Sequence, residues 1–112
     1  MAAILRGEIY WADLDPTQSH EQSGRRPVLV LSDDLFNARS GTVIAVALTS
    51  QEPQSRFPLT TEIVGSGLPR QSWVKISQIR TLSVQRLSQW IALASPEEIS
   101  TVPQYLVEAV EN

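Results

Sequence analysis

The chain has 112 residues, 42% hydrophobic and 19% charged, with seven prolines and a net charge of −3, which suits one buried core and excludes a disordered tail protein. With no cysteine and a single histidine, it excludes a disulfide framework, thiolate chemistry and the Cys/His kinds of zinc site, so a single domain over 1–112 with no metal and no cofactor is expected. The charge is uneven: residues 93–112 hold four glutamates and no base, and eight of the nine cations are arginine, whose planar fork grips phosphate or carboxylate.

The opening "MAAILRGEIYWADLD" is interrupted by Arg6 and Glu8, too early for a signal-peptide core or a membrane span, so a cytoplasmic location with no membrane association is expected. "GEIYWADL" at 7–14 is rich in β-formers and closes on "DPTQ", predicting a strand and then a turn. A long polar loop runs through "TQSHEQSGRR" to Pro27, where "PVLVLS" predicts a strand apolar on both faces with proline at its first position. In "SDDLFNARSG", Ser32 or Asp33 caps a short helical turn that Gly41 ends, and "TVIAVALTS" predicts a third strand. The loop "QEPQSRFP" leads to the strand "LTTEIV", and "GSGLPRQ" turns the chain into "SWVKISQI", whose inner face its alternation leaves open. "LSVQRL" fits one helical turn and "WIAL" a short closing strand. "SPEEISTVPQYLVEAV" predicts a helix with Ser95 as N-cap, Pro96 in its first turn and Glu98 closing a capping box. Its apolar stripe is Ile99, Val102, Leu106 and Val110, and Pro103 is expected to kink or divide it. Five or six short strands and one terminal helix make a mainly β fold, a small sheet curling toward a barrel.

Few residues in this pattern carry chemistry. Pro27 holds Arg26 extended at the mouth of a buried strand, either as a mounted binding group or as a surface arginine shielding the strand start. Thr49 and Ser50, where the third strand gives way to loop, suit donation to a phosphate and equally suit satisfying turn amides. Gln78, Arg80 and Thr81 leave a later strand. His20 has the one side chain titrating near neutrality, but it sits in a polar loop with no evident carboxylate partner. Asp33 and Asp34 are adjacent and point apart, so capping explains them better than a metal.

Together "RGEIYWADLDPT", "EQSGRRPVLV", "ALTS" and "QIRTLS...RL", in this order and spacing, resemble the MazF/PemK family of toxin endoribonucleases over nearly the whole chain. The resemblance implies an SH3-like barrel of the PemK/CcdB-like fold. It implies a homodimer that cleaves single-stranded RNA, usually mRNA, at short motifs without a metal, and a cognate antitoxin that wraps the dimer. It assigns the catalytic pair to Arg26 and Thr49, a lid over the RNA groove to Glu21 and Gln22, and the groove's flank to Gln78 and Arg80. Arg25 and Ser50 are added as substrate-binding neighbours, Arg25 on flanking phosphate. By the same implication Arg26 stabilises charge at the phosphorane and donates a proton to the leaving oxygen. A guanidinium is always protonated, so the first of these roles is chemically the firmer. His20 and Glu21 are the candidate bases. Trp73, if it faces outward, joins the surface expected to receive the antitoxin.

Three positions depart from the family pattern: Ser19 where a glycine is common, Gln71 where an acid is common, and Pro103 in the last helix. Two rival readings remain at this level. One is a CcdB-like toxin that poisons gyrase by binding, although the ending "VEAVEN" lacks the apolar, tryptophan-bearing terminus this needs. The other is a degenerate, non-catalytic homologue.

Overall fold

The computed structural model describes residues 3–14, 24–54, 60–64, 67–68 and 70–111. The strands are β1 (Glu8–Asp13), β2 (Arg25–Val30), β3 (Thr42–Thr49), β4 (Thr60–Ile63), β5 (Ser72–Ser83) and β6 (Leu87–Leu93). Helix α1 (Asp34–Ser40) joins β2 to β3, a 3-10 turn at Val84–Arg86 joins β5 to β6, and α2 (Pro96–Glu111) follows β6. The strands form one sheet in the order β4-β5-β3-β2-β1-β6, every described pairing being antiparallel.

This order explains the strand read as apolar on both faces. β2 and β3 lie centrally, and their alternate residues enter two separate clusters: Leu29, Val46 and Leu48 pack with Ile9, Val74 and Val102, while Val28, Val30, Val43, Ala45 and Ala47 pack with Ala12, Leu14 and Leu82. The sheet curls because β5 is bent. Its register to β3 runs evenly from Thr42↔Ser83 to Val46↔Ile79 and resumes at Leu48↔Val74, so β5 carries three more residues than β3 across the break. An odd insertion exchanges the faces of a strand, so no single inner face existed for the sequence pattern to reveal.

Asp33 caps α1 by accepting from the N–H groups of Leu35 and Phe36 at 3.2 and 3.3 Å, and Gly41 closes it in the left-handed region at φ 69°. The predicted capping box of α2 forms: Ser95 N donates to Glu98 Oε1 at 2.9 Å, and Glu98 N donates to Ser95 Oγ at 3.1 Å. The other Glu98 oxygen accepts from Val64 N at 2.6 Å, tying the helix start to the end of β4.

Some expectations are corrected. α2 continues through Pro103 without dividing, with Val102 fully buried beside it and Ile99, Tyr105 and Leu106 packed on the same core; that burial outweighs the backbone hydrogen bond the proline removes. β2 begins two residues earlier than predicted, so both arginines lie inside the strand and Pro27 is its third residue. "RTLS", residues 80–83, also lies inside β5 rather than after it.

Gly7 sits at a three-way junction. Its N–H donates to Val30 O at 2.8 Å and its carbonyl accepts from Ala94 N at 2.9 Å, with φ at 92°. A Cβ there would lie 2.8 Å from Ile99 Cγ1 and closer still to its Cδ1, whereas a Cβ on Gly41 would meet nothing within 4 Å. Both positions disfavour alanine through the backbone, but only Gly7 adds a collision with α2. Gly41→Ala is expected to lower unfolding free energy by about 1 kcal/mol and Gly7→Ala by about 3 kcal/mol in urea titrations. Equal losses would mean that Ile99 moves aside freely.

Candidate functional site

β1 and β2 stay paired to the very start of β2, with Trp11 opposite Pro27, Ala12 opposite Arg26 and Asp13 opposite Arg25. On its other side β2 pairs with β3 only from Val30↔Ala45 to Val28↔Ala47. Hydrogen bonding explains the difference. Gly7 N donates to Val30 O on the β1 side, while Leu31 N donates to Ile44 O on the β3 side, so the alternation of the ladder turns the nitrogen of residue 27 toward β3. That residue is proline, which has no N–H to give, and the β2–β3 ladder stops there.

Carried two residues further, the same register sets Arg26 opposite Thr49, in a position of the kind whose side chains approach most closely. The two lie on one face at the point where the strands are no longer stitched together. Here the structure has a cavity of about 380 Å³. Four sequence-predicted residues line it: Arg25, Arg26, Thr49 and Ser50. Trp11, Arg70 and Ser72 line it as well, and sequence reasoning did not single them out. The available signal for Arg70 was its place in "GLPRQS", two residues before the β5 start, the same turn-to-strand mounting that drew attention to Arg26.

Three guanidiniums and no carboxylate line this cavity among the described residues. Such a surface attracts an anion, and planar forks favour phosphate or carboxylate. Thr49 makes the turn contact that one of its sequence readings expects. Its Oγ1 accepts from Gln51 N at 3.2 Å, which closes a tight turn and fixes the oxygen, while the hydroxyl proton stays available to donate into the cavity. Arg25 points to the other side of the strand from Arg26. Its guanidinium lies over the Trp11 ring, 4.6 Å from the centroid, and Nη2 donates to Gln89 Oε1 at 3.0 Å.

The remaining candidates lie elsewhere. Gln78 and Arg80 are half-buried in β5 outside the cavity lining, Arg80 opposite Ala45 and four residues along β3 from Thr49. Glu21, Gln22, His20 and Ser19 lie outside the described residues. Trp73, across from Thr49 on β5, is only 5% exposed, which corrects the idea that it faces outward to a partner. Gln71 donates to Glu62 Oε2, a contact in which an acidic residue at 71 would set two carboxylates facing each other.

Residues 5–110 match the family model described as PemK-like, MazF-like toxin of type II toxin-antitoxin system. The chain belongs to this family. It is 38% identical to the Bacillus subtilis endoribonuclease EndoA over 105 residues, 92% of this chain and 90% of that protein. Its fold matches a crystal structure of MazF from Deinococcus radiodurans with a TM-score of 0.86 at 26% identity, covering 100% of each chain. It also matches a mycobacterial endoribonuclease solved in complex with its cognate antitoxin, with a TM-score of 0.79 at 26% identity over 96% of this chain and 95% of that one. The barrel expected from the MazF/PemK resemblance is thus the fold observed, and membership favours a toxin of the endoribonuclease kind over a gyrase-binding one.

Proposed function

We propose that this toxin is a metal-independent, sequence-specific endoribonuclease that cuts single-stranded RNA in the cavity between β2 and β3, with Arg26 and Thr49 as its catalytic residues. The observation that carries this reading is that Arg26 and Thr49 line one cavity, just beyond the point where the β2–β3 ladder ends at Pro27, together with two further guanidiniums. Kinship with the EndoA endoribonuclease supports it.

RNA brings its own nucleophile. The 2′-oxygen bonds to the adjacent phosphorus, the bond to the 5′-oxygen breaks, and the products are a 2′,3′-cyclic phosphate and a 5′-hydroxyl. The proton lost by the 2′-hydroxyl passes to a base, and the departing oxygen takes up another. Between these events the phosphorane carries more negative charge than the ground state, and donors already fixed around its oxygens lower the barrier. Arg26 supplies a cationic fork to that charge, and Thr49 a neutral donor held in place by its turn. Ser50 and Arg70 extend the anion-binding surface over flanking phosphate. A divalent cation would be repelled by this lining, so the substrate's nucleophile and the protein's arginines do the work between them.

Two partners complete the reading. The cognate antitoxin follows from the family and from the antitoxin complex of the mycobacterial neighbour, and a homodimer agrees with the exposed apolar residues Trp90 and Leu93 on edge strand β6 and Val107 and Val110 on α2. No helix among the described residues is long and apolar enough to cross a membrane, and we place the protein in the cytoplasm with its RNA substrate.

Arg26→Lys keeps the charge and loses the fork, so single-turnover cleavage is expected to fall on the order of a hundredfold while binding of a non-cleavable 2′-deoxy analogue weakens far less. A fully active Arg26→Lys variant would remove Arg26 from the chemistry. Cleavage in EDTA should equal cleavage in magnesium; loss in EDTA restored by a divalent ion would overturn the metal-free mechanism. Sedimentation should give a dimer at assay concentrations, and a fully active monomer would contradict it.

A further inference from the structure

Trp11 belongs to two hollows at once. It forms a wall of the Arg26–Thr49 cavity and also of a second, shallower groove of about 600 Å³ bordered by Gly67, Gln89, Trp90 and Ile91. The side chains at this shared wall are arranged in a definite way. Arg25 lies over the indole, and its Nη2 donates to Gln89 Oε1. Arginine has only donors, so the amide of Gln89 must turn its oxygen to Arg25 and its two N–H groups away from it. The Trp11 backbone is held too, its carbonyl accepting from Ser88 Oγ at 3.1 Å.

The strip therefore offers a flat aromatic and guanidinium surface whose polar edge, from Arg25 and Gln89, is made of donors. We propose that Trp11, Arg25 and Gln89 form a base-recognition subsite for a nucleotide flanking the scissile phosphate, selecting a base that presents a carbonyl edge. This rests on reading the adjacent cavity as the RNA cleavage site. A single-stranded base stacks on an aromatic or guanidinium plane regardless of its identity. Selection comes from the edge: uracil O2 and O4 or guanine O6 meet the donors of Gln89 and Arg25, whereas adenine brings an exocyclic amino group and no carbonyl. The contact revises Arg25, from an arginine reaching for flanking phosphate to one that orients a base reader. It also gives Gln89, which no motif marked, a role in cleavage-site choice.

The test is fluorescence anisotropy with non-cleavable 2′-O-methyl hexamers of uracil and of adenine, on wild-type protein, Trp11→Ala and Gln89→Glu. Gln89→Glu keeps a partner for Arg25 and exchanges two donors for acceptors. Wild type should bind the uracil hexamer at least about tenfold tighter than the adenine hexamer, which is the discrimination of one good base contact. Gln89→Glu should bring that ratio to one or below. Trp11→Ala should weaken both hexamers roughly 5- to 100-fold, the loss of one stacked base. An unchanged ratio in Gln89→Glu, or equal wild-type affinity for the two hexamers, overturns the subsite. So does a Gln89→Glu variant that sediments as a smaller species than wild type, because the strip is then a protein–protein contact. Failure of the cleavage reading looks different: wild type would discriminate between hexamers yet leave cleavable RNA intact.

Discussion

A missing hydrogen-bond donor organises this molecule. The nitrogen of residue 27 faces β3, and because that residue is proline the central β2–β3 ladder ends at Val28↔Ala47 while β1 keeps its grip on β2 as far as Arg25. The consequence is asymmetric. β2 stays rigid on one side and is released on the other, so Arg26 is mounted on an ordered backbone beside an opening instead of on a loose loop. An arginine in a mobile loop would give up conformational entropy every time it met a phosphate; here most of that loss is already incurred in folding.

The opening is tolerable because the rest of the fold does not need those hydrogen bonds. Val28, Leu29 and Val30, the three residues immediately after Pro27, are fully buried on alternating faces and belong to both apolar clusters. Beyond them, Gly7 bonds both Val30 and Ala94, so the N-terminal segment links the central strand to the approach of α2. Glu98 links α2 in turn to β4 through Val64. At the neighbouring sheet edge the Glu8 carboxylate accepts from Leu5 N, Tyr10 Oη and Trp90 Nε1, and burial together with that carboxylate pushes the Tyr10 hydroxyl up to about 12. These ties lie away from the cavity. The fold is closed elsewhere and left open at the cavity beside Arg26 and Thr49.

The sequence was informative where physics is local. A cap at Ser32 or Asp33, the Ser95 cap, the Gly41 terminator and the two-faced strand β2 followed from side-chain chemistry within a few residues, and the structure has them, with Asp33 as the cap of α1. Pro27 and Arg26 were also legible, although as a strand entrance and not as a break inside a ladder. That distinction depends on which neighbour the nitrogen of residue 27 faces, a property of pairing that spacing along one strand does not carry. The same limit hid Arg70 and Trp11, which reach the cavity through tertiary proximity, and the inner face of β5, whose three-residue shift against β3 exchanges its faces midway. Pro103 misled for the opposite reason: a local rule against proline in a helix yielded to the burial of Val102 and its neighbours.

Arg25 and Arg26 are adjacent, chemically identical and both exposed, yet strand geometry gives them different surroundings. Alternation turns Arg26 toward the face it shares with Thr49 and turns Arg25 onto Trp11. Among the described residues the cavity lining brings three guanidiniums together with no carboxylate, a positive surface that favours an anion. Stacking on Trp11 and donation to Gln89 hold the Arg25 group in a fixed place beside this cluster. The cation–π contact thus separates the two arginines: Arg25 is committed to an aromatic surface, while Arg26 is the one that, in the proposed reaction, meets charge developing in the transition state. A positive patch with both arginines free would bind RNA as readily but would hold substrate and transition state nearly alike, and such uniform binding adds affinity without rate.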